Sequence, residues 1–287
     1  MKIAVYSLLN SEACQQTVQN FISHVQELDF EVSYEQRIAD WAGNSDGKVF
    51  SSYEDLDKDT DLFFSIGGDG TLLRSLEYIQ DSGIPVIGIN TGRLGFLATV
   101  NKEDLGKALG ALTEGAYTIE PRTLLQVSVE GDTTPDLPLA LNEVTVGRKN
   151  TTAMITIHTQ INGEKLNSYW ADGFIVATPT GSTGYSLSNG GPLIDPESQS
   201  FVLTPIAPHN LNARPMVISN DVVVTLSVES READHLLSLD SRIHSIPTGK
   251  HIRISKALFT LNLARLKSDS FYKTLRTKLH WGKDRRN

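Results

Sequence analysis

The alternation of hydrophobic and polar positions changes its rhythm once along this chain. Through residues 1–117, short apolar runs alternate with stretches whose apolar residues recur every three or four positions, the pattern of an α/β layer fold. "KIAVYSLL" predicts a buried strand. Val18, Phe21, Ile22, Val25 and Leu28 then share one helical face, with Ser11 placed to cap it. "FEVSYEQ" predicts a second strand. Residues 39–60, "ADWAGNSDGKVFSSYEDLDKDT", are polar and turn-rich and predict a surface loop. The strand "DLFFSI" follows, then a glycine turn, a helix from about Thr71, the strand "IPVIGIN" and a helix beginning near Lys102.

After "TEGAYTIEPRT" the helical spacing disappears. "LLQVSVEG", "LALNEVTVGR", "AMITIHTQING", "GFIVATPT", "DVVVTLSVES", "HIRISK" and "FTLNLAR" are short β-rich runs separated by turn residues, the signature of an antiparallel β domain. "DSFYKTLRTKLHW" returns to helical spacing through Phe271, Leu275 and Leu279, and a lone terminal helix needs an apolar surface to cover. The expected organisation is therefore an α/β domain over 1–117, a β domain over 118–267 and a helix over 268–287 that docks back on the first domain. No internal repeat or low-complexity tract is visible.

Composition narrows the chemistry. A chain of 287 residues suits two domains, each with its own core. A net charge of −8 argues against a general nucleic-acid binder, which needs clustered Lys and Arg, and the basic tail "KDRRN" reads as a solvated end. The one cysteine, Cys14, excludes an internal disulfide and fits a reducing compartment, with packing as its simplest role. The apolar start "MKIAVYSLLN" gives way to "NSEACQQ" without a cleavage site, and no run approaches the ~20 apolar residues of a membrane span, so no membrane partner and a cytoplasmic location are expected.

Three motifs carry the chemical interest. "GGDGT", Gly67 to Thr71, lies where a strand ends and a helix begins, the crevice in which open α/β sheets bind ligands. Bare glycine backbone and free amides at a helix N-terminus suit a phosphate; a plain strand-to-helix turn with Asp69 as its cap explains the spacing about equally well. "LNEVTV" sets Asn142 beside Glu143 in an otherwise apolar strand, so one of the two faces inward, where an unpaired carboxylate is costly unless a ligand meets it. "SYWADGFIVATPTGSTGYSLSNGGPLIDP" offers hydroxyls, amides and glycines without a cation, with Tyr185 able to stack on a base. Ser182 lacks the G-x-S-x-G spacing of a hydrolase nucleophile, and no histidine pair has metal-ligand spacing. His209, among prolines, is read as packed or solvated.

Taken in order, these motifs resemble those of the NAD kinases: GGDGT, then Asn142–Glu143, then Asp172 to Pro192 as DG-x₆-TGST-G-YS-x-S-x-GGP. "NTGRLGFLA" over 90–98 is similar to the family's N-x-G-x-L-G-F-L segment, and "LDSRIHSIPTG" to its late D-[GS]-[QR] turn. GGDGT alone is shared with lipid and sugar kinases; the other two motifs are more specific. The resemblance implies a Rossmann-like α/β domain, a β-sandwich-like domain, a dinucleotide between them, and a homodimer or homotetramer in which a neighbouring subunit completes the site. It implies transfer of the γ-phosphoryl group of ATP to the 2′-hydroxyl of the adenosine ribose of NAD, with Mg²⁺ or another divalent cation accompanying ATP and no metal held by the protein alone. By the same resemblance Asp69 is the general base, and Gly67, Gly68, Gly70 and Thr71 form the phosphate loop, with Gly70 also against NAD. Arg74 would contact phosphate. Asn142 and Glu143 would bind the nicotinamide side or the ribose, and Asp172 would also hold NAD. Thr180, Thr183, Gly184, Tyr185, Ser186, Leu187 and Ser188 would wrap the adenosine and its ribose. Arg242 would complete the NAD-binding set from the late turn, where many relatives have glutamine, and Gly184 stands where alanine is commoner. No role is transferred to Trp170, and no lysine is evident for the triphosphate. The other readings are a lipid or sugar kinase and a non-catalytic NAD sensor; intact Asp69 argues against the sensor.

Overall fold

A computed structural model describes residues 1–43, 48–131, 134–149 and 153–280. The basic tail at 283–287 lies outside them. The chain divides into two compact units, Met1–Pro121 with Leu261–Asn287, and Arg122–Thr260.

The first unit is a doubly wound α/β layer. In chain order it contains β1 (Lys2–Ser7), α1 (Glu12–Gln26), β2 (Glu31–Glu35), α2 (Gln36–Ala42), β3 (Lys48–Phe50), β4 (Leu62–Gly67), α3 (Asp69–Ile79), β5 (Val86–Asn90), β6 (Val100–Asn101) and α4 (Leu105–Thr113). The strands run parallel in the order β3-β2-β1-β4-β5. Every residue of β4 is buried, as expected of a strand covered on both faces. The order reverses between β1 and β4, and the glycine turn leaves the carboxyl end of β4 at that switch point. Val18, Phe21 and Val25 of α1 pack with Ile3, Val5, Phe64 and Ile66, and Ser11 caps the helix through the Cys14 N–H at 3.2 Å. Cys14 is buried and packed.

Residues 39–60 are not the plain surface loop that their composition predicts. They contain the end of α2 and all of β3, and Phe50 and Leu56 are fully buried. Phe50 stands 5.8 Å from Phe63 and 5.5 Å from Tyr78, so distant aromatic partners override a polar local sequence.

The second unit is antiparallel. From the boundary strand β7 (Tyr117–Val129) it runs through β8 (Leu139–Ala140), β9 (Glu143–Gly147), β10 (Ile155–Ile161), β11 (Glu164–Ala171), β12 (Gly173–Ala177), the one-turn helix α5 (Tyr185–Ser188), β13 (Ser200–Ile206), β14 (Met216–Ser219), β15 (Val224–Glu229), β16 (Asp234–Leu239), β17 (Arg242–Pro247) and β18 (Ile252–Leu266). One sheet has the order β14-β13-β12-β9-β16-β17. A second joins β11, β10, β15 and the start of β18. Alternate residues of both, among them Val144, Val146, Ile157, Phe174, Phe201, Leu226 and Ile254, meet in one core, which is the sandwich expected. On the opposite face of β12, Ile175 and Ala177 pack with Val202 and Ile194.

The last helix, α6 (Phe271–Leu279), belongs to the first unit. Ser270 caps it, and its Phe271 ring lies 6.2 Å from Phe96, so it packs back as predicted. Among the described residues no helix is long and apolar enough to cross a membrane.

Candidate functional site

The glycine turn opens α3 at Asp69, two positions before the expected start, with Gly68 as its N-cap and no side chain bonded to that cap. Gly67 is dictated by space: a Cβ there would meet Thr71 Oγ1 at 2.2 Å. Gly68 and Gly70 are exposed, with nothing within 4 Å of where a Cβ would stand, so they leave the backbone bare on either side of Asp69. Asp69 does not cap its own helix. Its Oδ2 accepts the Phe96 N–H at 2.8 Å, and its Oδ1 accepts those of Leu97 and Ala98 at 3.0 and 2.9 Å. Gly95 makes this possible, since a Cβ on it would fall 1.9 Å from Asp69 Oδ1. Lys278 Nζ completes the set, 3.5 Å from Oδ2. Arg74 is exposed on α3.

The second unit contains a similar device. Asp240 accepts the Leu141, Asn142 and Glu143 N–H groups at 2.5, 2.8 and 3.0 Å and holds the chain straight into β9. Asp240 and Ser241 are both left-handed, at φ 47° and 76°, and form the tight turn from β16 to β17. The segment after β12 lies on the Asn-Glu pair. Thr178 donates its hydroxyl to Leu141 O at 2.6 Å and its N–H to Asn142 O at 2.9 Å. A Cβ on Gly181 would meet Asn142 O at 2.0 Å, and one on Gly184 would meet Glu143 Oε2 at 2.9 Å. Glu143 is pushed up to about 7, chiefly by burial and further by the charge of Asp240, against one stabilising N–H from Tyr185. Burial also raises Asp240, opposed by its three amides and by Arg242. Asn142 Oδ1 and Glu143 Oε2 are buried without a hydrogen-bond partner. Such acceptors are costly unless a donor reaches them.

This chain also matches known proteins along its length. It fits the description "ATP-NAD kinase N-terminal domain" over residues 2–117 and "ATP-NAD kinase C-terminal domain" over residues 141–266. It is 46% identical to an NAD kinase of Flavobacterium psychrophilum, covering 100% of both chains, and equally so to one of Christiangramia forsetii. The chain belongs to the NAD kinase family. Its fold is that of the family's solved structures. A yeast NADH kinase complexed with NADH aligns over 99% of this chain and 88% of its own, at TM-score 0.89 and 21% identity. An Archaeoglobus fulgidus NAD kinase in complex with ATP aligns over 98% of this chain and 99% of its own, at TM-score 0.75 and 28% identity.

Within the second unit the residues matched to the family's motifs fall into separate groups. Asn142, Glu143, Gly184 and Tyr185 come together, the Tyr185 side chain being exposed beside them. Thr180 and Thr183 belong to the same 3-10 turn, and the Thr183 hydroxyl donates to Thr180 O at 3.1 Å. Leu187 is half-buried and Ser188 exposed. Ser186 points inward, its hydroxyl 2.8 Å from that of Thr204. Asp172 is set apart: it immediately precedes β12, five residues from Ala177, the residue opposite Glu143, or about 16 Å at ~3.3 Å per residue. There it pairs with Arg148 at 3.0 Å. The Arg242 guanidinium donates to Leu137, Leu139 and Leu239 carbonyls, which anchors β17. His209 is exposed, its ring 4.4 Å from that of Trp170. Sequence reasoning missed the parts played by Gly95, Asp240 and Lys278. Gly95 lies in the "NTGRLGFLA" segment and Asp240 in "LDSRIHSIPTG", so both left a signal without showing their parts, whereas Lys278 left none.

Proposed function

We propose that the protein transfers the γ-phosphoryl group of ATP to the 2′-hydroxyl of the adenosine ribose of NAD, giving NADP. Membership of the NAD kinase family carries this reading. The buried, unpartnered acceptors of Asn142 and Glu143 support it from within the chain, since ribose hydroxyls and amide groups supply the donors they lack.

The transition state of phosphoryl transfer is loose, so positioning and neutralisation of charge dominate. Gly68 and Gly70 would present bare backbone to phosphate at the start of α3, where the helix dipole favours an anion, while Gly67 and Thr71, both buried, would shape the turn beneath them. Arg74, exposed on the same helix, would assist. Asp69 would orient the 2′-hydroxyl and accept its proton late, with Gly70 against the ligand. Asn142 and Glu143 would hold a ribose or the nicotinamide side, and Thr180, Thr183, Gly184, Tyr185, Leu187 and Ser188 the adenosine. Ser186 would act through Thr204 to shape that turn, and Arg242 through β17. Among the described residues no three His, Cys, Asp or Glu side chains gather as a metal site. A divalent cation such as Mg²⁺ would accompany the triphosphate as part of the substrate.

Asp172, just before β12, is too far from Glu143 to share a ligand group with it. A homodimer or homotetramer in which a neighbouring subunit completes the site accommodates it. A cytoplasmic location fits the free, buried Cys14. Purified protein with ATP, Mg²⁺ and NAD, monitored for NADP⁺, tests the reading. Product confirms a kinase; tight NAD binding without product would make the protein a sensor.

A further inference from the structure

The fold brings to the glycine turn a lysine that local sequence does not offer. Lys278 lies in the last turn of α6, one helical face above Phe271 and Thr274, at i, i+3 and i+7 spacing. Phe271 packs on the Phe96 ring at 6.2 Å, and the Lys278 ammonium lies 4.6 Å from the centre of the same ring. The ammonium is then 3.5 Å from Asp69 Oδ2, whose other contact is the Phe96 N–H. Two contacts on one aromatic ring thus aim an otherwise flexible side chain at Asp69.

Stability does not explain the arrangement. The Lys278 and Asp69 side chains are 34% and 27% exposed, and ion pairs so open to water contribute at most about 1 kcal/mol. The position is suggestive on chemical grounds. A carboxylate offers about four acceptor sites. Three are filled by the amides of residues 96–98, and Lys278 faces the remainder. Beside them stand Gly68 and Gly70, with open backbone.

We propose that Lys278 is a phosphoryl-binding residue of the reaction. This rests on the phosphoryl-transfer reading above. Its ammonium pairs with the terminal phosphate of ATP, and in leaving Asp69 it frees the last acceptor site of that carboxylate for the 2′-hydroxyl. The bond from that oxygen to the γ-phosphorus then forms as the bond from the γ-phosphorus to the β,γ-bridging oxygen breaks. ADP departs with the bonding pair, and the hydroxyl proton passes to Asp69 and on to water. The lysine neutralises charge on the transferring group, where electrostatic help is most effective.

The test compares wild type, Lys278→Met and Lys278→Arg, with initial rates of NADP⁺ formation measured against both substrates and melting temperature followed alongside. Methionine preserves the stem over Phe96 and removes only the charge. The expected result for methionine is a loss of about 10- to 100-fold in kcat/KM for ATP, with KM for NAD changed less than about two-fold, and arginine should recover most of the loss. Unchanged ATP kinetics in the methionine variant would overturn the assignment. So would equal losses for both substrates that follow a lower melting temperature and are not recovered by arginine. A wild type that makes no NADP⁺ overturns the parent reading and this one with it, whereas an active wild type beside an equally active Lys278→Met protein overturns this one alone.

Discussion

Glu143→Gln is the most informative change in the second unit, because its effect on stability has a defined sign and pH window. The side chain is raised from 4.5 to about 7 by burial and by Asp240. A carboxyl group whose folded value is raised favours folding in its neutral form. The native state therefore carries no penalty below about pH 4.5, and the penalty grows until the group has ionised above about 7. At 1.36 kcal/mol per pH unit, the 2.5-unit shift amounts to about 3 kcal/mol at alkaline pH, of which about 2.5 kcal/mol develops between pH 5 and 8. The titration belongs to the Glu143–Asp240 pair rather than to one residue. Glutamine keeps the shape and the acceptor oxygen but cannot ionise. Thermal unfolding of both proteins should be followed from pH 4.5 to 8.5 at fixed ionic strength. The two should melt close together at the acid end and diverge as pH rises, the variant becoming the more stable. With about 2–4 °C per kcal/mol for domains of this size, the gap at pH 8 should reach roughly 5–10 °C in the transition that involves this unit. Parallel curves, or a wild type that gains stability relative to the variant as pH rises, would refute the reasoning.

Asp69→Asn should lower turnover about 10²- to 10⁴-fold while NAD still binds, read from steady-state rates and a direct binding titration. Gly95→Ala should lower the melting temperature, because its Cβ would lie 1.9 Å from Asp69 Oδ1 and overpacking of this kind costs about 1–3 kcal/mol. Arg242→Gln should destabilise the protein by about 1–3 kcal/mol through lost bonds to the carbonyls of Leu137, Leu139 and Leu239, with NAD affinity nearly unchanged where the protein remains folded; denaturant melts and a binding titration read both.

Local periodicity made much of the fold legible. The helix after Ser11 could be read with its cap because its contacts repeat every turn within the helix itself. Phe50 and Leu56 could not be placed, because each is an isolated apolar residue in a polar stretch and is buried by partners remote in sequence. The site divides the same way. "GGDGT" and "NE" were visible as anomalies in apolar strands. The amides that bind Asp69 lie 27 to 29 residues onward, those that bind Asp240 lie 97 to 99 residues back, and no local pattern encodes either pairing. Arg242, expected at the ligand by its family position, has its guanidinium on the carbonyls of Leu137, Leu139 and Leu239, a use that local sequence does not encode.

Asp69 and Asp240 do the same mechanical work, each gathering three successive N–H groups of a segment remote in sequence. Hydrogen bonds to a charged acceptor contribute about 1.5–3 kcal/mol each, so either loop would loosen if its carboxylate were lost. An aspartate in GGDGT is thus accounted for by loop geometry before any proton transfer is invoked, and a slow Asp69→Asn enzyme does not by itself identify a base. Gly95→Ala separates the two roles, since it disturbs the same loop and leaves the carboxylate in place. If Asp69 acts on the hydroxyl, the asparagine variant should lose at least about tenfold more turnover than the alanine variant at matched stability, because base catalysis alone is worth ~10²–10⁴. Equal losses would reduce Asp69 to a positioning residue, and the acceptor proton would then have to leave directly to water.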